Sequence, residues 1–153
     1  MAIFRTGYKY KDLGLLLLRV GIGVMFILHG WPKLEAGPER WTAIGQNMAL
    51  LGIDFAPTFW GFMAGFAEAV GGLLILLGLF FRPSCLLLVI TMLVATLRHA
   101  SAGDGFGGYS HALEAAILFA ALLLIGPGKY SLDKVLFPKK KDRSKFSNRT
   151  VFS

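Results

Sequence analysis

FWGFMAGFAEAVGGLLILLGLF, Phe59 to Phe80, is an apolar run with a single carboxylate, Glu68, near its middle. A bilayer core of about 30 Å needs about 20 such residues in helical form. A carboxylate at that depth is costly unless another group holds its charge or its proton. The run therefore predicts a membrane helix, and Glu68 predicts polar partners on the helices around it.

Working outward, the chain supplies those helices. Leu13 to Gly30 is apolar apart from Arg19, and Trp31-Pro32 marks its end. Pro57 to Phe80 is the second span, Ser84 to His99 the third and His111 to Ile125 the fourth, stopped by Gly126-Pro127-Gly128. Arg82-Pro83 reads as a tight turn and Ala100 to Ser110 as a glycine-rich loop. Trp41 to Leu51 reads as a short interfacial helix anchored by Trp41. The fold class is all-α: a single membrane-spanning four-helix domain over residues 1–153, with a basic tail from Lys129 to Ser153. Arg19 splits the first apolar segment and no small-residue cleavage site follows, so that segment reads as a retained span and not a signal peptide.

Composition agrees. The 153 residues are 55% hydrophobic and only 16% charged, with apolar residues in long runs and not alternating. The single cysteine, Cys85, rules out an internal disulfide or a dithiol centre. The formal net charge of +7 is concentrated in the tail, which contains KKKDRSKFSNR. A polybasic segment beside a membrane helix points to anionic lipid and away from nucleic acid. Basic residues cluster at the N-terminus (Arg5, Lys9, Lys11), at Arg82 and in the tail, so the positive-inside rule places both termini in the cytoplasm. Gly61, Gly65 and Gly72 repeat at helical spacing on the second span and predict close helix packing.

Depth sorts the remaining polar residues. Glu68 lies roughly 16 Å from Pro57, and Arg19 roughly 9 Å in from Leu13 on the opposite side. A buried Arg19–Glu68 ion pair is the expectation. His29 and Lys33 end the first helix, Arg98 and His99 the third, and His111 and Glu114 open the fourth, all on the outer side. These six are the candidate ligand-binding residues. Arg98, His99 and His111 would hold a head group and Glu114 would orient them or pair with Arg98; no catalytic residue is assigned. Histidine suits proton relay because free imidazole titrates near neutrality. The sequence leaves open whether the cluster is a proton relay or a static ion-pair network. The histidines lack metal-ligand spacing and Arg98 would repel a cation, so no metal is assigned. An anionic or hydrogen-bonding ligand, such as a quinone head or a small oxyanion, fits better. Gly103 to Gly108 matches G-x-G-x-x-G, but no strand precedes it.

The runs LLLLRVGIGVMFILHGWPKL, AEAVGGLLILLGLFFRP and SHALEAAILFAALLLIGPGKYSLD resemble the DoxX family of small bacterial four-helix membrane proteins, over roughly Leu13 to Asp133. The positions that carry the resemblance are Arg19, Lys33, Glu68, Gly71, Gly72, His99 and Glu114. It implies a multi-pass protein of the bacterial inner membrane and a quinone- or redox-associated component of a membrane oxidoreductase. With one cysteine and no haem or flavin motif the chain itself reads as having no intrinsic cofactor, so electrons would pass through a bound quinone or a cofactor on a partner subunit. Partners are expected among other redox subunits or further copies of the chain. The competing expectation is a non-catalytic accessory subunit of a larger membrane complex.

Overall fold

A computed structural model describes residues 9–137. Its elements are α1 (Lys11–Glu35), α2 (Gly37–Gly45) continuing into a 3₁₀ segment (Gln46–Leu51), α3 (Pro57–Leu77), α4 (Phe81–Ser101), α5 (Gly105–Ile125) and the short α6 (Leu132–Leu136). Helices α1, α3, α4 and α5 are each long and apolar enough to cross a membrane. The protein is a membrane-spanning four-helix bundle. Arg5 and the basic segment beyond Phe137 lie outside the described residues.

The interfacial helix expected over Trp41–Leu51 begins earlier, at Gly37, and turns 3₁₀ from Gln46. Three further boundaries differ from the sequence reading, each for a physical reason. Proline does not end α1 at Trp31, and Pro32 lies inside the helix. The last turn is pinned from outside, because the Trp41 indole Nε1 donates to the Lys33 carbonyl at 2.7 Å. The tight turn falls at Gly78–Phe80, not at Arg82-Pro83. Pro83 sits in the first turn of α4, where a missing N–H costs nothing. The glycine-rich loop shrinks to Ala102–Asp104, and the residues from Gly105 to Ser110 are helical. A span from His111 would reach only about 22 Å, whereas one from Gly105 reaches about 31 Å and crosses the hydrocarbon core.

Helix α3 is the hub, packed against α1, α2 and α4, with α5 on the far side of α4. The glycines make this possible. A Cβ at Gly72 would lie 2.9 Å from the Gly23 carbonyl oxygen, and one at Gly23 would lie 2.8 Å from that of Gly72. The backbones of α1 and α3 therefore touch, which is how helices bind where lipid offers no hydrophobic driving force. Gly65 faces Lys33 and Leu34 of α1, and Gly61 lies against the backbone of Trp41 in α2. The edge-to-face pair Phe26–Phe119, with centroids 4.8 Å apart, closes the ring between α1 and α5.

Four spans bring residues 9 and 137 to the same end, called here the terminal end. Buried Arg19 ties it together. Its Nε donates to the Ile75 carbonyl (3.0 Å) and Nη2 to that of Leu76 (2.9 Å). Its Nη1 donates to Pro127 (2.9 Å) and Tyr130 (2.8 Å). The first two acceptors are last-turn carbonyls at the negative end of α3, and that of Ile75 also accepts from the Gly78 amide at 3.1 Å. Asp133 accepts from the Phe80 and Phe81 amides, and Asp12 from the Lys129 amide. The Gly126 to Asp133 segment is thus a clasp across the terminal end.

Candidate functional site

The expected Arg19–Glu68 ion pair does not form. Arg19 is consumed by carbonyls at the terminal end, and Glu68 lies two helical turns from Ile75 toward the other end. The partner of Glu68 is Lys33, whose Nζ donates to Oε1 at 2.6 Å and Oε2 at 2.5 Å. The continuation of α1 past Pro32 carries Lys33 there. Glu68 is 2% exposed, while the lysine side chain keeps 36% of its surface. The carboxylate is buried inside the bundle and the ammonium reaches it from the edge.

That edge is the wall of a cavity of about 700 Å³ between α3 and α4, roofed by α2 and the 3₁₀ segment. Its polar lining gathers Lys33 from α1, Arg40 from α2, Glu68 from α3, and Arg98 and His99 from the end of α4. Its apolar lining includes Met63, Leu87, Ile90 and Val94. Phe59, Leu87 and Ile90 are surface residues, so the cavity opens sideways on the apolar flank between α3 and α4. The Trp60 ring forms part of the wall, and its buried Nε1 has no hydrogen-bond partner among the described residues.

At the connector end of the lining, His99 Nδ1 lies 2.6 Å from Asp104 Oδ2, and Arg98 Nη1 lies 3.6 Å from the same oxygen. An ionised carboxylate only accepts, so Nδ1 carries the proton and donates. The 3.2 Å approach of Arg98 Nη1 to Nδ1 is then a close neighbour and not a hydrogen bond, since both atoms are donors.

Of the six candidate ligand residues, the structure brings Lys33, Arg98 and His99 to one cavity. His29, His111 and Glu114 stand apart, on the exposed flank where α1 meets α5. The His29 and His111 rings are 6.3 Å apart there, and all three residues are exposed. Glu114 forms no ion pair among the described residues, so it neither orients His99 nor pairs with Arg98. Asp104 takes both roles. Sequence reasoning passed over Asp104 because its stretch read as loop, and over Arg40 because the connector read as surface. The signal for Asp104 was its spacing, five residues beyond His99 across a helix end. Among the described residues no three His, Cys, Asp or Glu side chains converge to hold a metal ion.

Fold and site together define a small polytopic membrane protein, a four-helix bundle with a laterally open cavity built around a buried ion pair. The chain belongs to the DoxX family, whose model matches residues 14–100, the stretch that contains the whole lining of the cavity. An uncharacterized protein of Haemophilus influenzae is 33% identical, covering 86% of this chain and 96% of the relative. The Escherichia coli inner membrane protein YqjF is 31% identical, over 86% of this chain and 98% of its own length. A Bacillus subtilis relative named "Putative oxidoreductase CatD" is 27% identical over 88% and 95%. No solved structure matches the chain. With four spans and inner-membrane relatives, this is a multi-pass protein of the bacterial inner membrane.

Proposed function

We propose that this protein is a redox-associated membrane component that binds a lipid-soluble ligand of the quinone class in the α2/α3/α4 cavity. One observation carries the reading: a cavity of about 700 Å³ with charged groups in its lining and an apolar opening on the bundle's flank. Such a shape suits a small polar head on an apolar tail that arrives through the bilayer. A bound quinone would supply the electron chemistry; the chain's own residues bind and orient the head. Lys33 and Arg98 are the donors available to its oxygens, and Met63, Leu87 and Ile90 supply the apolar contact. The name of the Bacillus subtilis relative supports a redox setting. In this reading both termini face the cytoplasm, and the exposed Val135, Leu136 and Phe137 lead into the basic segment that would meet anionic lipid.

The test is mass spectrometry of organic extracts from the protein purified in mild detergent, run beside an Arg98→Ala, His99→Ala double variant. Both side chains are partly exposed at the end of α4, so the variant is expected to keep the fold. A quinone enriched in the wild type and lost in the variant is expected. Equal extracts from two equally folded proteins would refute the assignment.

A second reading, an accessory subunit, has its own observation. His29, His111 and Glu114 are exposed on spans that face hydrocarbon, and Glu114 lies roughly 14 Å along α5. A carboxylate there is costly in lipid and calls for a protein neighbour. A membrane protein that co-purifies with the wild type and is lost with Glu114→Leu, in extracts free of quinone, would favour this reading.

A further inference from the structure

The cavity carries an excess of positive charge that the ion pair does not consume. Lys33 and Glu68 neutralise one another at 2.5 Å. Arg40 and Arg98 remain in the lining, and Asp104 lies 3.6 Å from Arg98, outside that lining. Arg40 has no acidic partner among the described residues. The charged and titratable groups lining the site are therefore Lys33 from α1, Arg40 from α2, Glu68 from α3, and Arg98 and His99 from α4, with Asp104 of the connector behind the last two. Together they favour a head that arrives neutral through lipid and becomes anionic once inside.

His99, at the connector end of the lining, is the group to take that proton. Asp104 Oδ2 accepts from His99 Nδ1 at 2.6 Å, so that in the neutral ring Nε2 is the nitrogen with a free lone pair. A carboxylate behind an imidazole fixes the tautomer and stabilises the imidazolium once it forms. His99 is only partly exposed, so it borders both cavity and water.

We infer that the cavity binds a phenol of the hydroquinone class on an apolar tail, that His99 Nε2 receives its phenolic proton, and that Asp104 is the positioning residue for this transfer. The inference rests on the pocket reading above and deepens it. In the step, the phenolic O–H bond breaks and an Nε2–H bond forms. The electron pair stays on the oxygen as phenolate, facing the cationic lining, and no electron is exchanged. The imidazolium is held by Asp104 and returns its proton to water at the connector end.

The test uses the full chain in mild detergent and a 4-nitrophenol bearing a hexyl tail, which absorbs visible light only as the phenolate. Decylquinone, followed by quenching of tryptophan fluorescence, is the neutral comparison. In the wild type the bound nitrophenol should ionise about one pH unit lower than in protein-free micelles, a tenfold change in proton affinity. Asp104→Asn should remove most of that shift while decylquinone still binds, and Asp104→Glu should restore it. The sign is diagnostic. Asp104→Asn deletes a negative charge, so a purely electrostatic effect would make the phenol more acidic, not less. A shift that grows or persists in Asp104→Asn overturns the inference. So does a bound probe that titrates as in micelles while decylquinone still binds; the pocket reading then survives alone. If neither molecule binds the wild type, both readings fall.

Discussion

Lys33→Met separates the two sides of the buried ion pair. Glu68 is 3% exposed at its side chain, whereas Lys33 is 36% exposed, so the two partners do not stand to lose equally. Removing one member of a fully buried pair costs about 3–5 kcal/mol, because the remaining charge is left without compensation. The half-open lysine already has part of its charge solvated, which lowers the expected cost to about 2–3 kcal/mol. For a chain of this size that corresponds to about 5–10 °C in Tm. Adding Glu68→Gln to Lys33→Met removes the orphaned charge and should recover at least half of the loss, so the double variant is more stable than the single one. Thermal unfolding in one detergent, followed by circular dichroism, gives the comparison. Additive losses in the double variant, or a Lys33→Met protein with unchanged Tm, would refute the view that Lys33 exists to hold the Glu68 charge.

Two further outcomes test the architecture. Arg19→Met takes the side-chain donor from the Leu76, Pro127 and Tyr130 carbonyls, at about 1 kcal/mol each, while that of Ile75 keeps the Gly78 amide. Its Tm should fall and the Gly126–Ser131 segment become open to limited proteolysis; Arg19→Lys should not rescue it, since an ammonium cannot span acceptors arranged for a planar guanidinium. Gly72→Val should destabilise by about 1–3 kcal/mol, because its side chain would drive α1 off α3. Gly21→Val is the matched control: nothing lies within 4 Å of a Cβ there, and equal losses in both would argue against the Gly23–Gly72 contact as the bundle's seam.

The amino-acid sequence alone determined the class of the molecule. Four apolar runs of near-spanning length leave a chain in lipid no option but helices, because every backbone amide must be satisfied within its own segment. The lone Glu68 in such a run likewise demanded a partner, on solvation grounds that need no coordinates. Which partner was a tertiary decision. Depth pointed to Arg19 and left Lys33 among the outer-side residues, and the outcome turned on two features invisible to periodicity. The α3 carbonyls and the clasp after α5 satisfy Arg19, and Trp41 holds α1 helical past Pro32 so that Lys33 comes within reach. The candidate site divided for a similar reason. His29, Lys33, Arg98, His99, His111 and Glu114 share a level in the bundle, but depth says nothing about azimuth. Packing of α3 on α1, α2 and α4 turned Lys33, Arg98 and His99 toward one cavity and left the other three on the opposite flank. Spacing along a chain sets how far into the membrane a residue lies, and only the packing of helix against helix sets which residues face each other across it.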